Sequence, residues 1–133
     1  MNKLVELIRN ARFVYVCGNG GSASTAEHFT NDLFSKGVKA MCLSSNTSIL
    51  TMIANDFGYD DVFKRQLLTY AYPGDLLIVI SCSGTSKNIV RAKRIAKKLG
   101  VQVFEFETFS KDRKYGKLED KHLKFAHKVA AQI

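Results

Sequence analysis

Phe13-Val14-Tyr15-Val16 runs straight into Cys17-Gly18-Asn19-Gly20-Gly21-Ser22. The first four residues are a continuous apolar run, which reads as a short buried strand. The glycines that follow let a backbone approach a ligand closely. Ser24-Thr25-Ala26-Glu27 then has capping-box spacing and predicts the start of a helix. A strand, a glycine loop and a helix start together build an anion site, because free N–H groups at the helix start face the loop. Any strand-to-helix connection also needs a tight turn here, so this stretch alone leaves both readings open.

A second stretch repeats the pattern. Leu76-Leu77-Ile78-Val79-Ile80 leads into Ser81-Cys82-Ser83-Gly84-Thr85-Ser86, and a helical pattern follows. In a parallel sheet both loops lie on the carboxyl edge, where ligands of open α/β folds bind. The hydroxyls of Ser22, Ser81, Ser83, Thr85 and Ser86 suit phosphate oxygens. Neither loop ends in the Gly-Lys-Ser/Thr of a P-loop. Neither is a dinucleotide fingerprint, since Ala23 stands where a third glycine would complete it.

Working outward, strands are expected at residues 12–17, 38–43, 76–81 and 101–106. Helices are expected over residues 1–10, 24–34, 49–55, 60–70, 86–99 and 117–132, with residues 111–116 as a charged loop. Ala26, Phe29 and Leu33 form a core stripe on the second helix, and Gly37 caps its end. Strands alternating with helices predict an α/β fold. This is a three-layer α/β/α sandwich with a parallel sheet of about four strands and right-handed crossovers. At 133 residues the chain reads as one domain, 1–133.

Composition narrows the function. Apolar residues make up 46%, enough for a packed core. No apolar run approaches the ~20 residues of a membrane span, and the N-terminus reads as an amphipathic helix, not a leader. Cys17, Cys42 and Cys82 each end a predicted strand and read as small buried thiols of a cytoplasmic protein. The net charge of +8 is concentrated in residues 86–99 and in the tail from residue 111. These read as solvated helix faces. Aromatic residues are not interleaved with the basic ones, which argues against nucleic acid as a partner.

Gly18-Asn19-Gly20-Gly21-Ser22, Ala26-Glu27-His28-Phe29, Asn55-Asp56-Phe57-Gly58-Tyr59, Pro73-Gly74-Asp75 and Ser81-Cys82-Ser83-Gly84-Thr85-Ser86 occur in this order. Together they resemble the sugar isomerase (SIS) domain, most closely the phosphoheptose isomerases, over residues 13–106. The resemblance implies a flavodoxin-like fold and a cytoplasmic homotetramer (or dimer) with sites at subunit interfaces. It implies conversion of sedoheptulose 7-phosphate to D-glycero-D-manno-heptose 7-phosphate, for lipopolysaccharide and other heptose-containing surface glycans. Roles follow residue by residue. Ser22, Ser81, Ser83 and Ser86, with Gly20 and Gly21, would hold the phosphate. Asn19, Asp56 and Glu119 would contact the substrate. Asp32 falls at the catalytic glutamate and His127 at the catalytic histidine. His28, Asp32, Glu119 and His127 fall at the ligands of the zinc ion (Zn2+) that several members carry.

The spacing is compatible with these roles. His28 and Asp32, four apart, share a helix face. Glu119 and His127, eight apart, share a broad face of the last helix. On residues alone, His28 and Asp32 read as a surface ion pair, and His122, beside an apolar stripe, as a packed histidine. Three departures stand out. Asp32 is one methylene shorter than the family's glutamate, and Glu119 brings a charge where the family has glutamine. The family's N-terminal helical segment and the stretch between Phe106 and Glu119 are mostly missing. These departures suit a second expectation, a non-catalytic SIS-fold module that binds a phosphosugar or a protein. Such a module would be similar to the replication initiator-associating protein.

Overall fold

The computed structural model describes residues 1–109 and 114–133. Helix α1 (Asn2–Asn10) leads to β1 (Val14–Cys17), α2 (Gly21–Ser35), β2 (Ala40–Cys42) and α3 (Thr47–Asp56). A 3-10 turn (Tyr59–Asp61) opens into α4 (Val62–Tyr70). Then come β3 (Leu76–Val79), α5 (Lys87–Lys98), β4 (Gln102–Glu105) and α6 (Tyr115–Gln132). All strand pairs are parallel, in the order β2-β1-β3-β4.

Alternation along the strands sends side chains to two cores. Val14, Val16, Leu76 and Ile78 pack with Leu4, Phe29, Leu33 and Val129 from α1, α2 and α6. Tyr15, Cys17, Leu77 and Val79 pack with Ile53, Phe63, Leu67 and Ala92 from α3, α4 and α5. Helices on both faces explain why β1 and β3 are apolar throughout. This is the expected three-layer arrangement.

The elements differ from expectation mainly at their ends. Each strand is shorter than the span expected for it, β1 losing residues 12 and 13 at its start and β3 losing residues 80 and 81 at its end. Helix α2 begins at Gly21, three residues before Ser24, so the capping box does not form. Its N-cap is Gly20 at φ 55, which has no side chain to offer. Asp60 and Asp61 lie in the 3-10 turn that leads directly into α4, with Asp61 as its N-cap. Of the expected charged loop, residues 111–113 lie outside the described residues, whereas Tyr115 and Gly116 are already in α6. At the end of α2 the cap forms as expected. Gly37, at φ 80, donates its N–H to the Phe34 carbonyl (2.9 Å), and Val38 donates to the Leu33 carbonyl (3.0 Å).

The strand order also sets the place of the site. The chain leaves β1 for β2 on one side, then crosses back to β3 on the other. The crevice beyond the carboxyl ends of β1 and β3 is therefore a switch point, where open α/β sheets bind ligands.

Candidate active site

Cys17 at the end of β1 is in register with Val79 at the end of β3, so the two Ser/Gly loops run side by side. Gly18 makes this possible. A Cβ there would lie 2.6 Å from the Ser22 carbonyl oxygen and 2.8 Å from that of Ile80. In the second loop, Gly84 at φ 69 makes the turn. Its N–H donates to Ser81 Oγ (2.9 Å), and the Thr85 N–H donates to Ser83 Oγ (3.2 Å). Ser86 is the N-cap of α5 but its hydroxyl makes no cap hydrogen bond. The loops enclose a cleft of about 300 Å³. Ser22, Ser81, Ser83 and Ser86 all line it, with Gly20 and Gly21.

Asn19 also lines the cleft, and its amide is held firmly. It exchanges two hydrogen bonds with the Asn88 amide (2.9 and 3.0 Å), and the Tyr59 hydroxyl donates to its Oδ1 (2.9 Å). Sequence reasoning missed Asn88 and Tyr59. Asn88 had a legible signal: it stands in the buried stripe of α5 with Ala92 and Ala96, where a polar residue needs a partner. Asp56 is placed differently from the expectation for a substrate contact. It is exposed at the end of α3, accepts from the Asn55 amide (3.0 Å) and does not line the cleft.

Cys82 lies in the cleft wall. Burial, and next the Glu119 charge, push its thiol pKa up, while a hydrogen bond with Ser22 opposes them. The thiol therefore stays protonated at neutral pH and is a poor nucleophile. Cys17, fully buried, is pushed up by desolvation, and all three cysteines are free and buried. His122 is buried as expected. It packs edge-on against Phe106, and its Nε2 lies 2.6 Å from the Glu107 carbonyl oxygen.

A second cluster forms where α2 meets α6. His28 Nε2 and His127 Nε2 are 2.9 Å apart, and Asp32 Oδ2 lies 3.5 Å from the first and 4.0 Å from the second. His28 and His127 are about half exposed. These three ligand atoms, all within 4.8 Å of one another, suit a divalent metal. Two imidazole nitrogens and one carboxylate oxygen are a donor set that zinc accepts, with a fourth position open. The implied fourth ligand, Glu119, is not in this group. It stands two turns earlier on α6, about 12 Å along the helix axis. Its carboxylate lies instead against Gly21 and lines the serine cleft.

The SIS-domain family model matches residues 1–106, taking in α1 as well as the motifs. The chain belongs to the SIS-domain family. Among curated relatives, the phosphoheptose isomerase of Helicobacter pylori (strain Shi470) is 48% identical over 105 residues, covering 74% of this chain and 55% of that protein. The SIS chain thus spans about half the length of that relative. The phosphoheptose isomerase of Mycobacterium bovis (strain BCG / Pasteur 1173P2) is 36% identical over 152 aligned residues, covering 99% of this chain and 78% of that protein. An alignment longer than the 133 residues here must open gaps in this chain. Among solved structures, the phosphoheptose isomerase of Neisseria gonorrhoeae superimposes with a TM-score of 0.90 at 27% identity, covering 98% of this chain and 80% of that one.

Proposed function

We propose that this SIS domain isomerises sedoheptulose 7-phosphate to D-glycero-D-manno-heptose 7-phosphate, for heptose-containing glycans such as lipopolysaccharide. The observation that carries this reading is the meeting of both Ser/Gly loops in one cleft at the switch point. It does so in a chain similar to phosphoheptose isomerases along almost its whole length. The hydroxyls of Ser22, Ser81, Ser83 and Ser86, with backbone N–H groups at the start of α2, would hold the phosphate. Binding there orients the substrate with energy drawn from a group remote from the reacting carbons.

The reaction removes a proton from C1 of the ketose and returns one to C2, while a hydroxyl proton moves from O1 to O2. Asp32 and His127 are the groups suited to carry these protons. The neighbouring His28 Nε2, 2.9 Å away, orients the His127 ring. With metal bound, His28, Asp32 and His127 would instead be the ligands of a zinc ion, which polarises a substrate oxygen as a Lewis acid. The cluster lies about 12 Å along α6 from Glu119. A ligand anchored in the cleft must therefore extend along α6, or a second copy must supply the cluster. Phe34, Met52, Phe57 and Leu68 are exposed apolar side chains that support self-association, as a homotetramer or dimer. Among the described residues no helix is long and apolar enough to cross a membrane. The free buried thiols suit a reducing cytoplasm.

The test is turnover of sedoheptulose 7-phosphate, with and without added zinc, by the unmodified protein and by His127→Ala. A general acid–base group contributes about 10²- to 10⁴-fold, so the variant should lose at least that order while its phosphate affinity holds. Full activity in a folded His127→Ala protein would refute the role. No turnover in the unmodified protein would instead support a non-catalytic phosphosugar- or protein-binding module.

A further inference from the structure

We infer that Asn88 is a positioning residue for the serine cleft: through its amide pair with Asn19 it sets where Ser22 stands relative to Ser81, Ser83 and Ser86. The inference rests on the reading of that cleft as a phosphate site. Sheet pairing fixes the ends of β1 and β3, where Cys17 is in register with Val79. The serines lie beyond those ends and need a further tie. The first loop runs Gly18-Asn19-Gly20-Gly21, and its three glycines leave the backbone free to take many conformations. Asn19 is the one residue of that run with a side chain by which it can be held. Its backbone carbonyl in turn accepts the Ser22 N–H at 2.9 Å, so Ser22 follows Asn19.

Asn88 is a firm anchor for that side chain. It is the second residue of α5, two after Ser86, and only 3% exposed. Asn19 Nδ2 donates to Asn88 Oδ1 at 2.9 Å, and Asn88 Nδ2 donates back to Asn19 Oδ1 at 3.0 Å. Two reciprocal hydrogen bonds between planar amides fix an angle as well as a distance. Stability alone does not call for an amide at this position. The other buried residues of α5 are Ile89, Ala92 and Ala96, and burying an amide costs about what its hydrogen bonds return. What a satisfied buried pair adds is a single geometry. Here the pair ties the loop that carries Ser22 to the helix whose N-cap is Ser86, so that one phosphate can reach the hydroxyls of both loops.

The test is calorimetric titration of inorganic phosphate into the unmodified protein, Asn88→Ala, Ser22→Ala and the double variant, with thermal melts to confirm folding. Asn88→Thr, closer in size to asparagine but unable to form the reciprocal pair, takes the place of Asn88→Ala if the latter does not fold. Each single variant should bind phosphate at least about tenfold more weakly, the effect of losing one hydrogen bond to a charged group. The two losses should not multiply, because Asn88 acts through the placement of Ser22. The double variant should therefore stay near a loss of about tenfold, well short of the roughly hundredfold that independent sites would give. An Asn88 that serves packing alone would lower the melting temperature and leave phosphate affinity unchanged. Unchanged affinity in either folded single variant would overturn the proposal while leaving the phosphate cleft intact. A double variant weakened by the full product of the single losses would overturn it too. Absence of phosphate binding by the unmodified protein would overturn the cleft itself, and this inference with it.

Discussion

Gly18→Ala is the sharpest probe of how the two loops are joined. The added Cβ would stand 2.6 Å from the Ser22 carbonyl oxygen, 2.8 Å from its carbonyl carbon and 2.8 Å from the Ile80 carbonyl oxygen. All three atoms are backbone, so no flexible side chain can swing away. Ordinary contact begins at 3.4 Å, so the first loop must open by about 0.8 Å at Ser22 and the two loops must part by about 0.6 Å at Ile80, in an interior packed as densely as a crystal. Overpacking of this kind costs about 1 to 3 kcal/mol. Taking about 2 kcal/mol, the melting temperature of a domain this size should fall by roughly 8 °C. Phosphate affinity should fall as well, because Ser22 separates from Ser81, Ser83 and Ser86. Gly20→Ala is the control. Nothing lies within 4 Å of its added Cβ, but its φ is +55. It should therefore lose about 1 kcal/mol to backbone strain alone. Thermal melts and calorimetric phosphate titration on both variants decide the matter. A Gly18→Ala protein with unchanged melting temperature and affinity would refute the close approach of the loops.

Two other expectations concern the frame around the site. The Asp75 side chain is fully buried and accepts from Arg12 (2.8 and 3.0 Å) and from the Tyr72 N–H (2.7 Å). Asp75→Ala should cost about 1 to 3 kcal/mol, because a backbone donor loses its partner; an unchanged denaturation midpoint would contradict this. Asp61 accepts from Arg91 at 2.7 Å, which holds its pKa below the usual carboxylate value. A lowered folded pKa adds stability above the unfolded value of about 4, and that stability is lost as pH falls through the folded value. Asp61→Asn should therefore melt slightly below the unmodified protein at neutral pH, and the gap should close in strong acid. A gap that persists or widens there would rule out the ion pair as its cause.

The sequence by itself determined the layers and the chemistry of the loops. Unbroken apolar runs such as Leu76 to Ile80 can be buried only between two covering layers, and period and turn residues are local properties. The stripe of Ala26, Phe29 and Leu33 and the Gly37 cap were legible for the same reason. Only the tertiary structure decided which strands are neighbours. The order β2-β1-β3-β4 brings the loops after β1 and β3 into one cleft, although 63 residues separate Gly18 from Ser81 in number. It also paired Asn19 with Asn88 and left Asp56 outside. It placed Glu119 over Gly21 while His127 joined His28 and Asp32. Spacing along a helix says which residues share a face. What that face meets depends on how α6 lies across α2, and that is set by the packing of both helices on the sheet.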